Sequence, residues 1–431
     1  MADDIQRVVM PPHALRRLRP SATAERRGFL TIALDRPDGG RRDCVVPVEP
    51  GLPLLLRTFD APVAASIGAG EATIESVGWR QSALALLWRA TSHQFRATPR
   101  FDGLEIFPPG TSAKAKNYCK QIRNLRGFGL ALDGDFVRQH PELIAGWPAE
   151  TPAGAERGPS SGPRIAVALH LHYVDLWPEF ETLLLRWRQP FSLFLTLTRD
   201  NPELARRVRA AFPNSVIRVV DNRGRDVRPF LLLLEEGAFD SFDLVCKIHS
   251  KKSIGHGRLP AAGDIIRRAA FLDLIATDRQ VRSIVQAFAD DPSVGLIGAQ
   301  RFRLAVEDDP RRNLWGDTRH IAEELAMRMG GTLSLHPLEF FAGTMFWARP
   351  GAFEPLRCLR LAEESFAAEA DQIDGTLEHT IERLFIHVAR HAGFRVEAVA
   401  VDDAEPTADA PRPSRPTFKP ANAREKFAHR S

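Results

Sequence analysis

Between Arg164 and Val401 the chain alternates short apolar runs with segments of helical length, an order that few folds accept. "RIAVALH", "FSLFLTLT", "SVIRVVDN" and "FDLVCKIH" read as strands, being short, apolar and rich in β-branched residues. "DLWPEFETLLLRW", "DNPELARRVRAAF" and "VRPFLLLLEEGAF" lie between them, with apolar residues at helical spacing. Pro202, just after Asp200 and Asn201, marks a helix start. "AAFLDLIATDRQVRSIVQAF", "RHIAEELAMRMG" and "GTLEHTIERLFIHVARHAG" continue the helical period, with "VGLIGAQ", "GTMFWAR" and "FRVEAVAV" as further strands. Alternation at this interval predicts right-handed βαβ units, hence an α/β fold with a mostly parallel sheet and flanking helices.

The 431 residues suggest roughly two to three domains. Residues 148–163 are rich in Pro, Gly, Ser and Ala without periodicity and read as a flexible linker. Residues 1–147 ahead of it mix β-like runs with "SALALLWRATSHQF" and read as an accessory α+β region. Residues 164–401 form the α/β domain, and residues 402–431, with five prolines, read as a disordered tail. Neither a signal peptide nor a run of ~20 apolar residues is visible, so the expectation is a cytoplasmic protein. Four scattered cysteines without metal or redox spacing agree with a reducing compartment. The formal charge is +4 and the pI about 9.0, but arginines and acids are interleaved, so no nucleic-acid partner is expected. Only 8 of the 58 basic residues are lysines, and three of those 8 fall between Lys247 and Lys252.

Ligands of open α/β sheets sit beyond the carboxyl ends of the strands. That rule selects His170 and His172, Thr198–Asp200, Asp221–Asp226 and His249–Lys252. In "DNRGRDVRPF" Gly224 permits a turn closed to other residues, and the amides that follow suit an anion. Asp221, Asn222, Arg223, Arg225 and Asp226 accompany it as donor-binding candidates, with His170. Asp226 would equally serve as a helix cap. In "FDLVCKIHSKKS" alternation puts Lys247 and His249 on one strand face, with Lys251 and Lys252 following. In "FFAGTMFWARPGAF" Gly343 and Thr344 allow close approach, and Phe346 or Trp347 would stack on a sugar ring or fill a core. "DQIDGTLEHTIERLF" begins a helix carrying His379, Glu382 and Arg383 opposite its apolar face. Asp374, just ahead, reads as a proton-accepting carboxylate or an N-cap. His387 and His391, four apart on that helix, lack the glutamate of a zinc-protease motif and read as surface residues. Asp133 and Asp135 in "LALDGDF" read as turn residues.

Together with "HLHYVDLWPEF", these blocks stand in one order from about Arg164 to about Val401, and they resemble the rhamnan synthesis protein F family of bacterial polysaccharide biosynthesis. The resemblance covers nothing in residues 1–147. It implies a GT-A-like (Rossmann-like) glycosyltransferase moving a deoxysugar, rhamnose first, from a nucleotide-sugar donor to a glycan or lipid-linked glycan. That work would fall at the inner face of the membrane, with peripheral association. It also favours Asp374 as the base. Metal-dependent transferases of nucleotide sugars place Asp-x-Asp after a comparable strand; here His249 and Lys251 hold that spacing. A cation meets phosphate directly: at ~4 Å, unit charges near a protein surface interact by roughly 4 kcal/mol before desolvation. Lys247, His249 and Lys251 are therefore expected to replace a divalent metal, and no cofactor is expected. The rival expectations are a non-catalytic nucleotide-sugar or glycan binding subunit, and a polyanion-binding protein.

Overall fold

The computed structural model describes residues 5–35, 39–91, 98–132, 135–147, 162–252, 259–306, 315–331, 333–368 and 374–401. The expected tail, nearly all of the expected linker, and Asp133 lie outside the described residues. The described chain divides into two compact units, residues 5–146 with 251–269, and residues 147–250 with 270–401. The contiguous span 164–401 is thus interrupted by a segment that groups with the first unit.

The first unit contains β1 (Ile5–Met10), β2 (Leu15–Pro20), β3 (Phe29–Asp35), β4 (Arg41–Pro47), β5 (Leu54–Thr58), β6 (Val63–Gly68), β7 (Ala72–Ser76), β8 (Arg100–Phe101) and β9 (Leu104–Phe107). They form two antiparallel sheets, ordered β1-β6-β3-β4 and β7-β2-β5-β9-β8. Helices α1 (Ala22–Arg27), α2 (Trp79–Thr91), α3 (Ala113–Gly127), α4 (Asp135–Gln139) and α5 (Glu142–Ala145) accompany them.

The second unit is built on β10 (Ile165–Leu171), β11 (Ser192–Leu197), β12 (Val216–Val219), β13 (Leu244–His249), β14 (Val294–Ala299), β15 (Arg303–Val306), β16 (Leu338–Phe341), β17 (Phe346–Ala348) and β18 (Arg395–Val399). Its helices are α6 (Trp177–Leu185), α7 (Pro202–Ala211), α8 (Val227–Glu235), α9 (Pro260–Leu274, which begins in the first unit), α10 (Asp278–Asp290), α11 (Arg319–Arg328), α12 (Glu354–Arg357) and α13 (Leu377–His391). Local signals act as read: Asn201 Oδ1 accepts from Leu204 N at 3.0 Å, with Pro202 opening α7.

Seven strands form one sheet in the order β12-β11-β10-β13-β17-β14-β18. β12, β11, β10 and β13 run parallel, as do β14 and β18. β17 is antiparallel to both neighbours, β13 and β14. The chain leaves β16 and turns through Gly343 and Thr344 straight into β17, so β17 starts where its neighbours end. The separate β15–β16 hairpin has no counterpart in the sequence reading. β10, β13, β14 and β17 are buried throughout, as strands covered on both faces are. The order reverses between β10 and β13, because the chain builds β11 and β12 on one side of β10 and then returns to the other.

Alternation in β17 sends Phe346 and Trp347 to opposite faces. Phe346 joins Phe230, Phe353 and Phe385, with ring centroids 5.0–6.1 Å apart. Trp347 stacks on Trp187 at 5.4 Å, and their indole N–H groups donate to the Leu274 and Ile275 carbonyls at 3.1 and 3.0 Å. Both β17 aromatics are fully buried, which corrects their expected role in stacking on a sugar: they are core. His387 is also buried rather than at the surface, its Nδ1 2.7 Å from the Ser334 carbonyl.

Gly298 in β14 lies under the Phe341 ring, where a Cβ would fall 2.5 Å from Cδ1, Cε1 and Cγ. Gly298→Ala is expected to cost about 1–3 kcal/mol of stability through overpacking, measured by urea unfolding. An unchanged midpoint would mean that Phe341 moves aside without penalty.

Candidate active site

At the order reversal, His170 of β10 and His249 of β13 are register partners. They stand side by side at the strand ends, where the chain path opens a crevice in doubly wound sheets. His170 Nδ1 is 2.9 Å from Thr196 Oγ1, and His172 Nδ1 is 3.0 Å from Thr198 Oγ1. Burial pushes His170 down to about 3, with the cations of His249 and Lys247 acting the same way against Asp226, so it stays neutral.

Lys247, two residues before His249, is buried between strand and helix. Its Nζ donates to Asp226 Oδ2 at 2.5 Å, to the Thr344 carbonyl at 2.9 Å and to Thr344 Oγ1 at 3.0 Å. Thr344 Oγ1 in turn donates to Asp226 Oδ2. Three ammonium protons thus meet three oxygens. Phe230 and Phe346 lie under the ammonium with centroids at 5.7 Å. Burial alone would raise the Asp226 carboxyl; the charges of His249 and Lys247 and the hydrogen bonds from Lys247 and Thr344 outweigh it and hold it well below the ordinary carboxylate range. Lys247 is therefore a pillar under the site rather than a cation offered to a ligand, a correction to its expected donor-binding role. Asp226 precedes α8 without making a cap hydrogen bond, because its carboxylate is turned to Lys247.

His249 faces acceptors on both sides. Nε2 lies 2.8 Å from the Gly343 carbonyl, Nδ1 3.1 Å from the Ser250 carbonyl and 3.8 Å from Asp226 Oδ1. A neutral ring donates from one nitrogen only; the imidazolium satisfies both carbonyls.

The backbone around this knot is forced. Gly224, Arg225, Gly343 and Thr344 all have positive φ, of 62°, 54°, 89° and 53°. For a β-branched threonine that conformation is a rare, strained one, of the kind concentrated at functional sites. Gly224 has no alternative residue, since a Cβ would sit 2.5 Å from Phe366 Cδ1 and 2.7 Å from Arg228 Cβ. Arg223 clamps the same turn, donating from Nη1 to the Phe366 carbonyl at 3.0 Å. Asp221 and Asn222 are exposed at its tip. Arg225 reaches α13, with Nη1 3.1 Å from His379 Nε2. Thr376 Oγ1 holds His379 Nδ1 at 2.6 Å, and burial followed by the Arg225 charge pushes the imidazole below its ordinary value. Glu382 Oε1 accepts from Gly343 N at 2.7 Å, tying α13 to the Gly343–Thr344 turn.

Asp374 lies at the edge of this group. It is not the N-cap of α13, a position held by Thr376. Its two oxygens accept from Arg383 Nη1 and Nη2, each at 2.9 Å. Burial works upward on its carboxyl, but the Arg383 hydrogen bonds and charge prevail and hold it below the ordinary range. Lys251 and Lys252 follow directly on Ser250 and group with the first unit; Arg267 Nη1 donates to the Lys251 carbonyl at 2.5 Å. Among the described residues no group of three or more His, Cys, Asp or Glu is placed to hold a metal ion. A cleft lined by Phe194, Val216, Arg218 and Leu233 opens at β12, on the edge of the sheet away from β13.

Sequence reasoning did not find Thr196, Thr376 or Phe366. No local signal identifies them, because Thr196 and Phe366 act from positions 26 and 143 residues away from their partners, and Thr376 through a neighbour on α13. The profile of the rhamnan synthesis protein F family matches residues 150–394, more than half of the chain. The chain belongs to that family. The uncharacterized protein WxcX of Xanthomonas campestris pv. campestris strain B100 is 30% identical over 238 residues, and the same protein of strain ATCC 33913 matches equally. The match takes in 55% of this chain and only 33% of WxcX, so the chain spans about a third of that relative's length. Among solved structures, residues 1–349 of S. aureus TarS align at 12% identity and a TM-score of 0.31, covering 56% of this chain and 59% of that one. The TarS complex with UDP-GlcNAc aligns at 11% identity and a TM-score of 0.30, over 58% of this chain and 60% of TarS.

Removing one partner of a buried ion pair strands the other, so Asp226→Asn and Lys247→Met are each expected to cost about 3–5 kcal/mol. The double variant Asp226→Leu/Lys247→Met should cost less than the sum of the single changes, in a urea-unfolding cycle. Additive losses would show that the pair is not coupled. The pH dependence follows from His170 and Asp226. Between about 3 and the ordinary histidine value of roughly 6.5 the unfolded chain binds the His170 proton and the folded chain does not, so stability rises with pH across that window. The Asp226 contribution is fully present above its unfolded value of roughly 3.9 and is lost as pH falls below it. Urea midpoints should therefore decline from pH 7 to pH 5 before carboxylates titrate; His379 and His387, also held below the ordinary histidine value by burial, add to the decline, and His170→Gln should lessen it. A flat wild-type profile would contradict the neutral, buried His170.

Proposed function

We propose that the second unit is a GT-A-like glycosyltransferase domain that takes a nucleotide-sugar donor in the crevice between β10 and β13. The observation that carries this reading is the pairing of His170 with His249 at the order reversal, above an Asp226–Lys247 pair that neutralises itself. A ligand there meets a rigid, water-poor floor and the Arg225 side chain, while the donor's diphosphate brings the missing negative charge. As the bond between the sugar's anomeric carbon and the phosphate oxygen breaks, charge builds on the leaving diphosphate. Arg225 would stabilise it, and His249, if protonated, would add its charge at a distance, since both its nitrogens already face the Gly343 and Ser250 carbonyls. The acceptor hydroxyl forms the new bond to the anomeric carbon, and Asp374 would take its proton, with Arg383 holding the carboxylate in place.

Membership in the rhamnan synthesis protein F family supports a polysaccharide acceptor and makes a deoxysugar, rhamnose first, the donor sugar to test. Asp226 is already engaged by Lys247, which supports transfer without a divalent metal, and the work would fall at the cytoplasmic side of the membrane. A non-catalytic nucleotide-sugar binding subunit is the second reading. The bidentate Asp374–Arg383 pair favours it, since a carboxylate held below its ordinary range is a weaker base.

Thermal-shift titration across nucleotide sugars, with and without chelator, is the first test. A donor-specific rise in melting temperature that chelator leaves intact is expected. A shift that vanishes in chelator and returns with manganese would contradict metal independence. Asp374→Asn separates the two readings: donor binding should persist while transfer slows by ~10²–10⁴. Transfer at the wild-type rate would remove Asp374 as base, and donor binding without any transfer by the wild-type protein would select the binding subunit.

A further inference from the structure

The first unit carries a surface that the second unit's chemistry does not use. α2 is a helix turned almost inside out. Ala85, with the partly covered Ser82 and Arg89, faces the body, and Arg89 is anchored there by the fully buried Glu105, its Nη2 2.5 Å from Oε1. Trp79 is 76% exposed, Leu84 49%, Leu86 37% and Trp88 36%, with the last lying over Gly110. A helix this apolar on its outward side is normally covered.

Charge identifies the cover. α2 and α3 together contain seven basic residues (Arg80, Arg89, Lys114, Lys116, Lys120, Arg123 and Arg126) and no acid, in a chain whose 58 basic and 54 acidic residues are otherwise interleaved. Lys116, Lys120 and Arg123 are exposed on α3. The two helices are neighbours: the charges of Arg123 and Arg89 both act on Cys119, whose thiol burial pushes up to about 11 against them. An acid-free basic helix beside an outward-facing apolar helix with tryptophans near both ends is complementary to an anionic lipid surface. At 13 residues α2 is about 20 Å long, too short to cross a bilayer and suited to lying in its interface.

We propose that α2 and α3 dock the protein on an anionic membrane, with Trp79 and Leu84 entering the interface and the α3 lysines meeting phosphate headgroups. This inference rests on the first unit alone and stands whether or not the second unit transfers sugar.

The test is cosedimentation of the full chain with vesicles of phosphatidylcholine alone, and of phosphatidylcholine mixed with phosphatidylglycerol, at low and high salt. Binding to the mixed vesicles only, weakened by salt, is expected. Lys116→Glu/Lys120→Glu should lower that affinity roughly ten-fold or more. Leu84→Glu and Trp79→Ser, both at exposed positions, should do the same while keeping the wild-type melting temperature. No binding to the mixed vesicles would overturn the proposal. So would charge-reversal sensitivity with no effect of Leu84→Glu and Trp79→Ser, which marks general attraction to any polyanion. A dimer seen by light scattering that Leu84→Glu abolishes, without vesicle binding, would assign the face to a second copy of the chain and equally overturn it.

Discussion

The Asp226–Lys247 pair is the interaction on which the second unit's strand-end architecture depends. A lysine in the middle of a fully buried strand is among the costlier residues a core can hold, and it persists only when every proton finds a partner. Three separate segments supply those partners: the start of α8 gives Asp226, the Gly343–Thr344 turn gives a carbonyl and a hydroxyl, and β13 gives Lys247. Because all three must meet at one point, the pair fixes where the strand ends, the α8 start and the β17 start lie relative to one another. Its specificity lies in position more than in stability, since an apolar replacement of similar volume loses less than a broken pair.

The strained backbone follows from the same requirement. Thr344 can present both its carbonyl and its hydroxyl to Lys247 and Asp226 only by adopting a left-handed conformation, and Glu382 holds the preceding amide in place from α13. On the other side of the knot, Gly224 is pressed against Phe366, and Arg225 follows it with positive φ, which carries its side chain across to His379. Two turns over a hundred residues apart are thereby locked to one ion pair. His249 gains its second acceptor, the Gly343 carbonyl, from that arrangement.

Much of the fold was legible because periodicity reports burial directly: the four parallel strands β10 to β13 and helices α6 to α8 fall where alternation places them. The β15–β16 hairpin and the direction of β17 were not legible, since a three-residue strand carries no orientation and strands separated by residues 307–337 have no turn signature. At the site, strand ends drew attention to His170, Asp226, Lys247 and His249, and they do converge. What those residues do there was not legible. Alternation shows that Lys247 and His249 share a face but not that Asp226 closes over the lysine. Phe346 and Trp347 carry the same letters whether they line a sugar site or a core, and only packing against Phe385 and Trp187 decides for the core. Lys251 and Lys252 follow His249 closely in sequence, yet they group with the first unit rather than the second.

A structure of the protein bound to a nucleoside diphosphate tests the central claim most directly. The expected result is a diphosphate within hydrogen-bonding distance of Arg225 and the 223–227 turn, beside His170 and His249, with the Lys247–Asp226 pair intact. A nucleotide in the cleft at β12, or a Lys247 that has left Asp226 to meet the phosphate, would contradict it.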